Sequence, residues 1–453
     1  MFSTFNFRSA SYGIFILILS VFGLVACRDD HRETPEMREA TKVALEWNKL
    51  LLDLERHSPG YRPPVSARML AYVEMAAYEA ALPALPGYVS MQEYVKGYRQ
   101  QEIMPDAKEF CLPASLNAAY GQILLHFFPN APEALQNRIK ELGRREDDHF
   151  GTCREEIVRR STAFGLSAAE SVWRWSMTDS LGHDGFLYNY DRSYEPPACK
   201  GCWKSSETHR MPPLTPHWGG VRPFVVAPGQ IEVKAPQQFN ESPGSAFYAE
   251  AMEVFSISQP LSKENRWIAE FWSDDFEGLT VSPAGRWISI LNQVVEQAEP
   301  DFPVVLEAYL KTGLALCDAG ILCWSAKYKY NLERPQDYIR RVIQTNWEPL
   351  HSAPPFPSYP SGHSMFGAAA CNIMSQLFGD SFTITDDTHK GRKEFAGMPR
   401  TFHSFAEMAR ENALSRVAIG VHYRMDCEEG LRLGRLIGQR VAALPLRKSE
   451  AAR

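Results

Sequence analysis

Apolar residues recur at helical spacing along most of this chain. Val43, Leu50, Leu51 and Leu54 mark one face of a segment from Thr41 to Arg56, which stops ahead of Pro59-Gly60. Ser66 to Leu82 is Ala-rich, with Met69, Val73 and Ala76-Ala77, and predicts a helix able to pack closely. Pro113 to Phe128 and Ala131 to Phe164 predict two more, the second charged enough for much of its surface to be solvated. A short helix fits Ser167 to Ser180. From Gly182 to about Pro243 the period disappears among Pro196-Pro197, Pro212-Pro213 and Gly219-Gly220. That stretch reads as a long ordered connection, because Tyr188, Tyr190, Trp203, Trp218 and Phe224 need burial; His217 reads as a packed loop histidine. Helical signals return with Ser262 capping a run to Trp272, and with Ser282-Pro283 opening a run through Trp287, Ile290, Leu291 and Val294. Phe302 to about Tyr330 predicts a long apolar helix, and Ser361 to Phe378 another, closed by Gly379. Ser404-x-x-Glu407 is a capping box opening the last helical stretch, to Leu444. No alternating strands and no repeat of 20–50 residues appear. The fold class is all-α.

Composition changes this picture little. The 453 residues are 45% hydrophobic and 23% charged, as in an ordinary globular protein. A net charge of -6 without any Lys/Arg run argues against nucleic acid as a partner. Residues 1–27 stand apart: Arg8, the apolar run Tyr12 to Leu24, then Leu24-Val25-Ala26-Cys27. They resemble a bacterial lipoprotein signal peptide, cleaved before Cys27 with lipid attached to its thiol. The expectation is an exported lipoprotein, anchored on the periplasmic face or the cell surface. Residues 28–245 then form an N-terminal helical region with the long connection, and residues 246–453 a C-terminal helical bundle. Export makes the remaining cysteines disulfide candidates. Cys199-Lys-Gly-Cys202 reads as a structural disulfide or two thiols rather than a zinc half-site, and Cys317, Cys323 and Cys371 as core residues.

The chemistry gathers in three pieces between Trp324 and Asp426. Lys327 and Arg334 are seven apart and Trp324 three before Lys327, which on one helix puts all three on a shared face. Pro335 should end that helix at Arg334. Pro360-Ser361-Gly362-His363 precedes an apolar helix, so the N–H groups of Ser361 and Gly362 would face a bound anion. Arg416 and His422 are six apart, about 120° on a continuous helix. A break at Gly420 would let both turn inward, with Asp426 accepting from one ring nitrogen of His422. Taken singly, these pieces also read as a solvated basic face, an ordinary Ser N-cap and a paired core histidine.

Together they match the K-x6-R-P, P-S-G-H and S-R-x3-G-x-H-x3-D pattern, and the chain is identified as a member of the superfamily of vanadium-dependent haloperoxidases and type 2 phosphatidic-acid-phosphatase-like acid phosphatases. Ala44-x-x-Trp47-Asn48, Pro216-His217-Trp218-Gly219 and Gly285-Arg286-Trp287 resemble the bacterial haloperoxidases. Asp318-Ala-Gly-Ile-x-x-Trp324 and Pro355-Phe356-Pro-x-Tyr-Pro360 resemble the fungal chloroperoxidase type. The resemblance implies two four-helix bundles and a vanadate cofactor bound through His422. Lys327, Arg334, Arg416, Ser361 and Gly362 would hold its oxygens, His363 would act as acid-base, and Trp324 and Phe356 would flank the halide. Asp275 would pair with the second Arg. The implied activity is oxidation of iodide or bromide by hydrogen peroxide, with a small organic acceptor as a further partner. Two alternatives stand beside it: an acid phosphatase with His422 as nucleophile, and a non-catalytic oxyanion-binding lipoprotein.

Overall fold

The computed structural model describes Met1 and residues 33–448, apart from 101–103, 145–149, 151–152, 206–210, 275, 277 and 394–397. Cys27 and the whole leader therefore lie outside the described residues. Among the described residues, thirteen α-helices and one two-stranded ribbon follow in chain order. The first five are α1 (Pro35–His57), α2 (Pro63–Ala81), α3 (Leu112–Phe127), α4 (Glu133–Arg144) and α5 (Glu155–Met177). After the long connection come α6 (Ala246–Ser258), α7 (Lys263–Phe271), α8 (Gly285–Ala298), α9 (Phe302–Tyr330), α10 (Pro335–Val342) and α11 (Gly362–Phe378). The antiparallel ribbon β1 (Ile384–Asp386) and β2 (Arg400–Phe402), then α12 (Phe405–Ile419) and α13 (Arg424–Ala442), complete the chain.

Local chemistry sets these boundaries. Proline opens α1, α2, α3, α9 and α10 at their first turns, where its missing N–H costs nothing. Ser262, Ser361 and Ser404 accept from the amides of Asn265, Ser364 and Glu407, as their positions predict. Helices α1, α2, α3 and α5 pack as one group of four and α9, α11, α12 and α13 as another, joined along α2 and α9. One apolar core runs through both, from Ala40 to Leu446, and so crosses the boundary drawn near residue 245.

Several expected boundaries move. The predicted break near Gly165 is absent, and α5 runs through it. A Cβ there would come 2.1 Å from the Ser115 carbonyl oxygen, so this glycine serves the close approach of α3 and α5. The segment read as one helix from Ala131 to Phe164 is instead interrupted between α4 and α5, where the Cys111–Cys153 disulfide ties Cys153 to the N-cap of α3. The Ser282 hydroxyl caps the start of α8, accepting from Ala284 and Gly285, although the helix itself begins at Gly285. Helices α6 and α10 had no sequence signal strong enough to predict them. Cys199–Cys202 is a disulfide, and Cys317, Cys323 and Cys371 are buried thiols. In the connection, Trp203, Trp218 and Phe224 are buried, but Tyr188 is 75% exposed and His217 is also exposed, against expectation.

The connection is fastened to α9 by Asp318. This fully buried carboxylate accepts from the amides of Phe224, Val225 and Val226 at 2.8, 2.8 and 2.7 Å. Farther along, the Leu214 carbonyl accepts from Trp324 Nε1 and the Tyr328 hydroxyl.

Candidate active site

The three predicted pieces converge, though not by the route expected for the first. Helix α9 ends at Tyr330, because Asn331 takes a left-handed conformation with φ of 46°. Arg334 is the N-cap of α10, with Pro335 at its first turn. Lys327 and Arg334 therefore do not share one helix face. The turn between them still brings both cations over the Phe356 ring, at 5.0 and 4.9 Å from its centroid.

The break inferred at Gly420 is real. Gly420 closes α12 with φ of 93°, and α13 opens at Arg424. His422 sits in the turn, 3% exposed. Its Nδ1–H donates to Asp426 Oδ2 at 2.9 Å, leaving Nε2 to accept from Arg334 Nη1 at 3.0 Å. Asp426 Oδ2 also accepts from the Ser358 hydroxyl at 2.6 Å and the Tyr423 amide at 3.1 Å. Burial raises the Asp426 pKa, but these donors together with Lys327 and Arg334 favour its charged form. Ser358 escaped the sequence reading because a serine between prolines carries no spacing signal.

Burial, then Arg334, pushes His422 well below its ordinary pKa, so its imidazole is neutral and can act as a ligand. His363, half-buried, is lowered in the same way by burial and then by Arg416. Arg416 Nη1 lies 3.3 Å from His363 Nε2, while its other nitrogens donate to the Ser415 hydroxyl and the Trp272 carbonyl. Burial lowers the pKa of Lys327, whose ammonium donates to the carbonyls of Pro357, Ser358 and Pro360 at 2.9, 2.8 and 2.6 Å. It thus acts as a buried charge held by the Pro-rich loop. The Ser361 hydroxyl caps α11, and the Ser361 amide donates to the Asp426 carbonyl at 2.9 Å, linking the N-termini of α11 and α13.

Of the predicted site residues, Trp324, Phe356, Gly362, His363, Arg416 and His422 line a cavity of about 410 Å³, whereas Lys327, Arg334, Ser361 and Asp426 stand behind its wall. Among the described residues, no carboxylate lines it, although Arg62, Arg416 and three histidines do. That is the donor set of a site for an oxyanion removed from water. At Gly362, an added Cβ would meet its first neighbour, the Trp324 ring, at an ordinary 3.6 Å. Packing alone would accept alanine there, so a glycine leaves room for close approach by something else. The rings of Trp324 and Phe356 pack 5.0 Å apart. Asp275 lies outside the described residues. Its neighbour Asp274, fully buried, pairs with Arg286 at 3.0 Å and His389 at 3.2 Å.

A family model for the VCPO second helical-bundle domain matches residues 307–448. The vanadium chloroperoxidase of Curvularia inaequalis is 26% identical over 25% of this chain and 26% of its own, so the match spans about a quarter of that curated relative. Among solved structures, one described as the first bacterial vanadium-dependent iodoperoxidase is similar with a TM-score of 0.79 and 28% identity, covering 91% of this chain and 98% of that one. A holo-type bacterial vanadium-dependent chloroperoxidase shares the fold, with a TM-score of 0.66 and 18% identity over 86% of this chain and 93% of that one.

Proposed function

We propose that this chain is a vanadium-dependent haloperoxidase that uses hydrogen peroxide to oxidise a halide, iodide or bromide first, to hypohalous acid. The observation that carries the reading is His422. Its Nδ1 is committed to Asp426, and its Nε2 faces Arg334 beside a cavity that no carboxylate among the described residues lines. Vanadate fits this donor set: His422 Nε2 would ligate it, and Arg334, Arg416 and the N-terminus of α11 at Gly362 would hold its oxygens. When bound, vanadate supplies Lewis-acid activation of peroxide without changing its own oxidation state.

The chain's residues do the rest. Asp426 fixes the His422 tautomer and orients the ring, as carboxylates behind ligating histidines do. Arg334 and Arg416 neutralise an anion that burial would otherwise expel, and Lys327 adds a third positive charge through the loop it organises. His363, neutral and open to the cavity, can take a proton from peroxide and return it to a departing oxygen. Trp324 and Phe356 present an apolar wall on which a large, weakly hydrated halide loses little by leaving water.

The N-terminal leader completes the proposal: cleavage before Cys27 and lipidation of its thiol would place the enzyme on a membrane surface. Among the described residues, no helix is long and apolar enough to cross a membrane. Cys27→Ala should leave an uncleaved precursor, visible by mass, whereas a mature N-terminus elsewhere in the wild type would overturn the anchor.

The activity is tested by equilibrium dialysis of metal-free protein against vanadate, followed by steady-state oxidation of iodide, bromide and chloride. Hydrolysis of a phosphate ester without halide oxidation would identify a phosphatase, and binding without turnover a binding protein. His422→Ala should abolish vanadate retention with the fold intact. Unchanged binding and turnover in that variant would refute the assignment of His422.

A further inference from the structure

The Cys199–Cys202 disulfide has no part in the activity described above. It spans 3 positions, whereas Cys111–Cys153 spans 42. A cross-link restrains the unfolded chain less as its loop shortens, so stability accounts poorly for this one. Cys199 is also the only exposed cysteine among the described residues, while Cys317, Cys323, Cys371 and Cys427 are buried thiols. A thiol in solution can therefore reach Cys199 without unfolding the chain.

The loop that the disulfide closes is paired to the turn feeding the active site. Cys202 and Leu332 form an antiparallel bridge. On either side of it, the Glu333 amide donates to the Gly201 carbonyl at 3.0 Å and the Trp203 amide to the Asn331 carbonyl at 2.7 Å. The Asn331 side chain donates back to the Trp203 carbonyl at 3.3 Å. From this turn, two paths reach His422. The Leu332 carbonyl accepts from the Ser358 amide at 2.9 Å, and the Ser358 hydroxyl holds Asp426 Oδ2, which accepts from His422 Nδ1. Arg334, the residue after Glu333, donates to His422 Nε2 at 3.0 Å. The short loop thus backs both hydrogen bonds that fix the imidazole.

We propose that Cys199–Cys202 is a redox site, opened by a dithiol and closed by hypohalous acid, whose opening weakens the hold on vanadate; the vanadate and hypohalous acid parts rest on the haloperoxidase reading. In opening, a thiolate of the dithiol attacks the Cys199 sulfur, and Cys202 leaves as a thiolate. The second thiol of the reductant then displaces Cys199, so the protein gains two electrons and the reductant departs as its own disulfide. In closing, the Cys199 thiolate attacks the halogen of hypohalous acid and releases hydroxide, and the Cys202 thiolate displaces halide from the sulfenyl halide. Two thiols and one hypohalous acid give the disulfide, halide, a proton and water. Without the bond, residues 199–203 regain backbone freedom, and pairing them with residues 331–333 costs more entropy. The Leu332–Ser358 contact and the placement of Arg334 loosen with that pairing.

The test uses the full folded chain. Dithiothreitol and then iodoacetamide, both removed afterwards, should alkylate Cys199 and Cys202. The double variant Cys199→Ser, Cys202→Ser supplies the open form without reagents. Its vanadate affinity in equilibrium dialysis should lie about tenfold or more below that of the wild type, as when the support of a metal ligand is disturbed. Hydrogen exchange in residues 330–334 should quicken in both open forms, with or without vanadate. An equimolar amount of hypobromous acid should close the reduced pair and protect both sulfurs from iodoacetamide. A pair that resists dithiothreitol in the folded chain, sulfonic acids in place of the disulfide, or an open form with wild-type exchange and affinity would overturn the proposal. A wild type that binds no vanadate would instead sink the haloperoxidase reading, and exchange in residues 330–334 would still decide whether the disulfide supports the turn.

Discussion

Replacing Gly434 with alanine tests how closely the two helices behind the active site must approach. Gly430, Gly434 and Gly438 form a stripe on α13 against α11. A Cβ at Gly434 would stand 2.3 Å from the Met365 carbonyl oxygen and 2.9 Å from the Ala368 Cβ. A comfortable carbon–oxygen contact is about 3.3 Å, so the helices would have to part by roughly 1 Å. The obstacle is backbone, and no side-chain rotation relieves it. Overpacking of this kind costs about 1–3 kcal/mol, against about 1 kcal/mol that alanine gains over glycine in a helix. A net loss of about 2 kcal/mol is expected, because the clash lies at the severe end. The same displacement would lengthen the 2.9 Å bond from the Ser361 amide to the Asp426 carbonyl beyond hydrogen-bonding reach. Vanadate affinity should then fall about 10–100-fold, as when the support of a metal ligand is disturbed. Urea unfolding followed by tryptophan fluorescence and equilibrium dialysis with vanadate measure the two effects. Gly143→Ala is the control: nothing lies within 4 Å of its added Cβ, and its stability should stay level or rise. A Gly434→Ala protein as stable as the wild type, with unchanged vanadate affinity, would refute the close-approach argument.

Other outcomes follow from separate parts of the molecule. Asp318→Asn should destabilise the protein by about 2–4 kcal/mol in urea unfolding, because the new amide can serve at most part of the three backbone donors and leaves a buried N–H unpaired. Arg416→Ala should weaken vanadate and phosphate together, and excess phosphate should inactivate iodide oxidation reversibly; indifference to both would break the shared oxyanion cradle. Glu74 is buried, and its pKa is raised to about 8 from 4.5, chiefly by desolvation. A raised folded-state pKa contributes stability that is complete below about pH 4.5 and is lost as pH rises through 8. Glu74→Gln should therefore flatten the fall in stability between those limits, by at most about 5 kcal/mol in unfolding titrations.

Much of the site was legible because its chemistry is local. The His422–Asp426 bond, the Gly420 break and the Ser361 cap depend on residues within a few positions of one another. Arg334 shows the limit of that reasoning. Helical period alone placed it on α9, but Asn331 ends the helix early and the true arrangement depends on a turn. Ser358 and the carbonyls that hold Lys327 could not be found at all, because backbone acceptors leave no mark in sequence. The break misplaced near Gly165 has a similar origin: a glycine reads as a helix end unless the neighbouring helix that requires it is known. Tyr188 and His217 were expected to be packed, and composition could not tell a packed aromatic from an exposed one.

The fastening of the long connection to α9 also bears on the order in which the molecule assembles. The bonds from Phe224 to Asp318 and from Trp324 to Leu214 join residues 94 and 110 positions apart. Closing such a loop costs entropy that grows slowly with length, about 0.6 kcal/mol per doubling, and nothing is returned until both ends have met. Pairings between neighbouring helices face shorter closures and form sooner. During refolding, helical circular dichroism should therefore recover ahead of the burial of Trp324. A chain caught between those events would carry its helices in place while one wall of its cavity was still open to water.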